Sequence, residues 1–194
     1  MKLLLASQSP RRKELLHLAG FDFEVKIPDV DETVMKEWNI DEVPEILARK
    51  KAAAVFDQFH PGYETVVISA DTIVIFNEKI FGKPANETEA LRMLETLSGN
   101  EHKVITGVCI RTAEKEISFS DVSKVFFRSL LKSELEYYIK HFQPFDKAGS
   151  YGIQDWIGVR IVEKVEGDYF NVMGLPVRLL IDELRKVGIT RMKK

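Results

Sequence analysis

The run from Val66 to Phe76 constrains the fold more than any other part of the chain. It is the most hydrophobic stretch and is rich in β-branched residues, so it reads as a central strand. Asp71 interrupts it. A carboxylate is rarely buried unless it is paired or bound to a metal. In one continuous strand Asp71 shares a face with Ser69 and Ile73, while Thr72 points the other way. A bulge or bend there would turn both toward one pocket. The plainer alternative is a carboxylate at a strand end that accepts backbone N–H groups.

Helix-like and strand-like patterns alternate around this run, which predicts an α/β or α+β fold. Leu3 to Ala6 reads as a short buried strand. Ser9-Pro10 then starts a helix, with Ser as N-cap and Pro at the first helical position, and Gly20 ends it. Phe21 to Ile27 alternates as a strand does. Asp41 to Phe59 forms a long helix stopped at His60-Pro61-Gly62. Asn77-Glu78 turns the central strand into a short partner, Lys79 to Phe81. A helix capped by Asn86 and Glu89 runs to about Leu97, and strands follow near Val104 to Thr112 and Ile117 to Phe127. Another helix covers Lys132 to His141. Ile157 to Lys164 and Tyr169 to Val172 read as two strands joined by a hairpin at Glu166-Gly167-Asp168. Pro176 opens a last helix that ends near Gly188.

The length of 194 residues fits one domain, or one core with a second lobe. The formal net charge of -2 argues against broad nucleic-acid binding, which needs a basic face. Cys109 is the only cysteine, so no internal disulfide or cysteine zinc cage forms, and its apolar neighbours Val108 and Ile110 predict a buried structural thiol. The first apolar run is too short for a signal peptide, and no segment approaches a membrane span. A cytoplasmic protein without a membrane partner is the expectation.

Four features point to chemistry. Arg11, Arg12 and Lys13 crowd a helix start, where they oppose the dipole and repel one another. A bound phosphate chain would relieve that conflict and satisfy the unpaired N–H groups, with Ser9 beside them. An exposed basic turn with Arg11 paired to Glu14 is the structural alternative. Asp71 is the second feature. The third is the acid pair Asp31-Glu32, which with Asp71 offers oxygen ligands to a hard divalent cation. The fourth is a set of lysines beside glycines: Lys83 in Gly82-Lys83-Pro84, and Lys147 in the loop from Asp146 to Gln154. Gln154 has an amide able to read a base edge. No P-loop consensus is present, which disfavours a Walker-type ATPase.

In order, these segments resemble the Maf family: Leu4 through Leu16, Ser69-Ala70-Asp71-Thr72, Gly82-Lys83-Pro84, Leu97-Ser98-Gly99, Asp146 through Gln154, and Val172-Met173-Gly174-Leu175-Pro176. The resemblance spans nearly the whole chain. It implies a mixed, extended sheet flanked by helices around a central cleft, related to the inosine triphosphate pyrophosphatases. It implies a nucleoside triphosphate pyrophosphatase, and Ala70-Asp71-Thr72 with Tyr151-Gly152-Ile153-Gln154 is similar to the branch acting on dTTP and UTP. In that branch the position of Asp71 is the proton acceptor, and those of Arg12, Thr72 and Gln154 are linked to substrate choice. Two departures stand out: Ser69 where glycine is common, and Asp155-Trp156 where many relatives are smaller.

On this reading Asp71 and Glu32 hold Mg²⁺ or Mn²⁺, and Asp71 deprotonates the attacking water. Arg12, Lys13, Lys51, Lys83 and Lys147 offset phosphate charge, while Thr72 and Gln154 discriminate the base. Lys51 is the weakest of the cations, because a helix lysine is normally solvated. Two rivals stay open, a nucleotide phosphatase and a non-catalytic nucleic-acid-binding or cell-division regulator. A homodimer is the guess for assembly.

Overall fold

The computed structural model describes residues 1–59 and 64–190. The expected helix stop at His60-Pro61-Gly62 lies outside these residues. Among the described residues seven strands form one sheet: β1 (Lys2–Ala6), β2 (Glu24–Lys26), β3 (Thr65–Phe76), β4 (Lys79–Phe81), β5 (Glu101–Arg111), β6 (Glu116–Phe127) and β7 (Val162–Glu166). Its order is β2-β1-β3-β5-β6-β7, with β4 also on β3. The sheet is mixed: β1 runs parallel to β2 and β3, whereas β3–β4 and β6–β7 are antiparallel. The helices are α1 (Pro10–Leu18), α2 (Val43–Phe59), α3 (Glu87–Leu97), α4 (Lys132–Phe142), α5 (Trp156–Arg160), α6 (Tyr169–Met173) and α7 (Val177–Lys186). None of them is long and apolar enough to cross a membrane.

The chain divides into two compact units, 1–71 with 106–121 and 174–194, and 72–105 with 122–173. In the first, β1 lies between β2 and the start of β3, with Leu5 opposite Ile68 and Ala6 opposite Ser69. Helix α2 packs Ala48, Ala52 and Val55 against Leu4, Ala6, Val67 and Cys109. Ser69 Oγ donates to the Ala48 carbonyl at 2.6 Å, which ties strand to helix. Gly107 on β5 lets the start of α2 approach closely, since a Cβ there would overlap the backbone of Pro44 and Glu45. Cys109 is buried, and that burial pushes its thiol up to about 12, as expected of an inert structural cysteine.

In the second unit, α3 packs on α4. Asn86 caps α3 by accepting from Glu89 N–H at 3.0 Å, and Glu89 answers by accepting from Ala85 N–H at 2.7 Å. Asn77 and Glu78 both take positive φ and close the β3–β4 hairpin. His102 is buried among Phe127 and Tyr151, and its Nε2 shares a 2.7 Å hydrogen bond with the Tyr151 hydroxyl.

One expectation fails. Ile157 to Lys164 is not a strand: α5 occupies Trp156–Arg160, and only Val162–Glu166 is extended. Ile157 and Ile161 are buried four residues apart while Val159 is exposed, so the apolar period is helical. The hairpin partner is absent too, because Tyr169–Met173 is a helix. Asp168 starts it by accepting from Phe170 N–H at 2.8 Å, a side-chain cap that competes with any strand. Elsewhere the differences are at element ends. Strand β2 is shorter than predicted, and α2 begins at Val43 after a 3₁₀ turn over Ile40–Glu42.

Candidate active site

The first unit gathers a charged centre around Lys51. This lysine follows Val43 and Leu47 at four-residue spacing on the buried face of α2. Its side chain is 8% exposed, and its Nζ lies 2.6 Å from Asp71 Oδ1 and 2.9 Å from Glu32 Oε1. One ammonium therefore joins two carboxylates that are far apart in sequence. Asp71 is buried on β3 and answers to a paired carboxylate, not to one capping a strand end. Strand β3 is continuous through Asp71 and Thr72. Alternation sends the two side chains to opposite faces.

The acidic loop sorts its own pair. Asp31 Oδ1 accepts from Thr33 N–H at 2.9 Å and from Thr33 Oγ1 at 2.6 Å. Those bonds hold its carboxyl below the usual range and use it to shape the turn. Glu32, half exposed, is left to reach Lys51.

Arg12 completes the group. Its Nε donates to the Gly174 carbonyl at 2.8 Å, and its Nη1 donates to Ser7 Oγ at 3.4 Å. Burial lowers the proton affinity of its guanidinium, and Asp71 and Glu32 oppose that effect while Arg11 adds to it. Arg12 thus lies in the field of both carboxylates. Ser9 caps α1, with its Oγ 3.5 Å from Arg12 N, and Ser7 Oγ accepts from Ser9 N–H at 3.1 Å. Lys13 is part-exposed in the same first turn.

The second unit holds Thr72, Lys83, Lys147 and Gln154. Lys83 is exposed after β4, and its loop is joined to the Lys147 loop by Gly149 N–H donating to the Gly82 carbonyl at 3.0 Å. Gly149 needs its positive φ, and a Cβ there would press into Val74. Lys147 is 12% exposed, 2.8 Å from Asp146 Oδ1 and 3.6 Å from Asp155 Oδ2. Gln154 is exposed in the turn closed by Asp155 N–H donating to the Gly152 carbonyl at 3.0 Å. Thr72 is half-buried.

Sequence reasoning passed over Ser7 and the Gly174 carbonyl as partners of Arg12, although both lie inside quoted motifs. It also passed over Tyr138, which carries no motif.

Among the described residues, no group of three or more His, Cys, Asp or Glu side chains is placed to hold a metal. Glu32 and Asp71 still fit a hard divalent cation. Mg²⁺ is often held by one or two carboxylates while substrate phosphates and water supply the other oxygens. The two carboxylates already converge on one cation, the Lys51 ammonium.

An α/β protein with a paired-carboxylate centre beside a basic helix start is what fold and site define. A family model described as "Maf-like protein" matches residues 2–187, and the chain belongs to the Maf family. A Bacteroides fragilis (strain YCH46) protein called "dTTP/UTP pyrophosphatase" is 49% identical over 96% of this chain and 96% of its own. Proteins with the same name from Porphyromonas gingivalis (strain ATCC BAA-308 / W83) and Cytophaga hutchinsonii are 48% and 47% identical, over 96% and 95% of this chain and 94% and 84% of theirs. The solved Staphylococcus aureus Ham1 protein shares 14% identity at a TM-score of 0.47, over 66% of this chain and 72% of that one.

Proposed function

We propose that the protein hydrolyses dTTP and UTP to the nucleoside monophosphate and pyrophosphate, with Mg²⁺ or Mn²⁺ bound at Glu32 and Asp71. The observation that carries this reading is the Lys51 ammonium joining Glu32 and Asp71 in the electrostatic reach of Arg12. The names of the full-length relatives support the choice of nucleotide. The lone buried thiol suits a reducing, cytoplasmic setting.

Water attacks the α-phosphorus and the bridging P–O bond to the β-phosphate breaks. The electron pair of that bond leaves with pyrophosphate, and Asp71 accepts the proton of the water. An ordinary aspartate is a weak base alone. A bound divalent cation supplies a lowered pKa for water and offsets phosphate charge. Before the cation binds, Lys51 holds Asp71 and Glu32 together, so the two carboxylates are already ordered to receive it. Arg12 and Lys13, with Ser9 and the N–H groups of α1, take phosphate oxygens. Lys83 and Lys147 are assigned to phosphate charge, and Thr72 and Gln154 to the base.

The test is a nucleotide panel scored for pyrophosphate and orthophosphate separately. Asp71→Asn is expected to keep the fold and lose on the order of 10²–10⁴ in kcat. Orthophosphate as first product would make the enzyme a phosphatase. Near-normal turnover in a folded Asp71→Asn protein would remove Asp71 from the proton transfer.

A further inference from the structure

Tyr138, Gly152 and Asp155, on α4 and in the loop beyond it, form an arrangement that the chemistry above does not use. Tyr138 is fully buried on α4. Its hydroxyl accepts from the Gly152 N–H at 3.1 Å and donates to Asp155 Oδ2 at 3.3 Å. Gly152 and Asp155 are the two ends of the turn that presents Gln154, joined to each other by Asp155 N–H and the Gly152 carbonyl at 3.0 Å. One hydroxyl therefore grips both ends of a four-residue turn. The same Asp155 oxygen lies 3.6 Å from Lys147 Nζ. Gly152 leaves room for this convergence, because a Cβ there would stand 2.7 Å from Asp155 Oδ2 and 2.8 Å from Lys147 Cε. Burial raises the pKa of the Tyr138 hydroxyl, so it stays protonated and keeps its donor.

We propose that Tyr138 is a positioning residue for nucleotide choice: its hydroxyl fixes the Gly152–Asp155 turn, and through it the amide of Gln154 and the ammonium of Lys147. A side chain in a turn reads a base edge only if the turn has one geometry, and a misplacement of about 1 Å costs on the order of a hundredfold. Gln154 is exposed while Gly152 and Ile153 before it in the turn are buried, so its precision has to come from the buried anchor beneath. Tyr138→Phe keeps the ring and removes the anchor alone. The proposal rests on the reading that Gln154 recognises the base of a pyrimidine nucleotide.

The experiment measures kcat and KM of the whole enzyme for UTP, dTTP, CTP and GTP, in wild type and in Tyr138→Phe, Asp155→Ala, Gln154→Ala and Leu135→Ala. Leu135→Ala is a control for plain destabilisation, since Leu135 is buried on the same helix. Tyr138→Phe should lower the ratio of kcat/KM for UTP over the rejected nucleotides by about tenfold, mainly through KM for UTP. Asp155→Ala, which frees one end of the turn and removes the more distant of the two carboxylates beside Lys147, should move the ratio the same way and serves if Tyr138→Phe does not fold. Leu135→Ala should lower thermal stability and leave the ratio within about twofold of wild type. A ratio unmoved in folded Tyr138→Phe while Gln154→Ala shifts it overturns the positioning role and leaves base reading intact. An equal shift in Leu135→Ala also overturns it. No shift in Gln154→Ala would overturn base reading at Gln154 and the positioning role with it.

Discussion

Replacing Lys51 with methionine isolates the centre's electrostatics, because the new side chain keeps most of the stem that packs in α2 and deletes the ammonium. The cost follows from the two partners. Asp71 is 12% exposed and Lys51 is 8% exposed, and breaking such a buried pair by removing one member costs about 3–5 kcal/mol. Water reaches part of Asp71, so the lower end applies. Glu32 is 48% exposed and rehydrates, which adds at most about 1 kcal/mol. The sum, about 3–4 kcal/mol, lowers Tm by roughly 6–16 °C for a chain of this length. Divalent cation should reverse much of this. A ligand that binds only the folded state adds about 2.7 kcal/mol at a hundred times its dissociation constant. In Lys51→Met the two carboxylates are free to take that cation without competition from an ammonium. Urea unfolding of both proteins in EDTA, and again in saturating MnCl₂, measures each quantity. The stabilisation by Mn²⁺ should be larger in the variant. Equal stability of the two proteins in EDTA would show that the ion pairs contribute nothing net. Equal stabilisation by Mn²⁺ would refute the idea that Lys51 sits in the cation's place.

Two further predictions concern stability alone. Burial pushes His102 from its ordinary 6.5 down to about 3, so the folded state favours the neutral ring. That contribution is complete above about pH 6.5 and is lost as pH falls toward 3. Between pH 7 and pH 4 it amounts to roughly 3 kcal/mol, and His102→Gln should flatten the acid side of a plot of unfolding free energy from urea titrations against pH by that amount. Identical acid slopes would count against the buried-neutral account. Gly107→Ala should cost about 2–3 kcal/mol by forcing β5 from the backbone at the start of α2. A neutral result by chemical denaturation would mean that this approach is looser than the geometry states.

Much of the fold was readable because local signals agreed. Ser9-Pro10 starts α1, Asn86 caps α3, and Asn77-Glu78 turns β3 into β4, each by chemistry contained in a few neighbouring residues. The segment from Trp156 to Met173 was misread because short apolar runs carry the same composition in a helical turn and in a strand. Only the exposure of Val159 between buried Ile157 and Ile161 separates the two. Asp71 was legible as an anomaly, a charge inside an apolar run. Its partner was legible in principle. Lys51 stands four residues after Leu47 and four before Val55, in a buried stripe, and a lysine in such a stripe breaks the helical pattern as Asp71 breaks the strand pattern. Tyr138 could not be found this way. A buried tyrosine on an amphipathic helix is ordinary core until a distant loop is seen to bond its hydroxyl.

These two pattern breaks account for each other, and they account for the third. Three cations at the start of α1 are unfavourable against the helix dipole and against one another. Arg12 is held there by the Gly174 carbonyl, by Ser7 and by the field of Asp71 and Glu32. The carboxylates in turn are held by Lys51. Opposite charges in this centre therefore neutralise one another before any substrate arrives, which limits the cost of burying them. An incoming triphosphate would meet two carboxylates as well as the cations. On the proposed function, a divalent cation at Glu32 and Asp71 would remove the repulsion between phosphate and carboxylate, and the arginine released from their field would then be available to the phosphates. On the proposed function, substrate and metal should bind together far better than either alone. Titrating Mn²⁺ into the protein with and without a non-hydrolysable nucleotide measures that coupling, and independent binding of the two would break the argument.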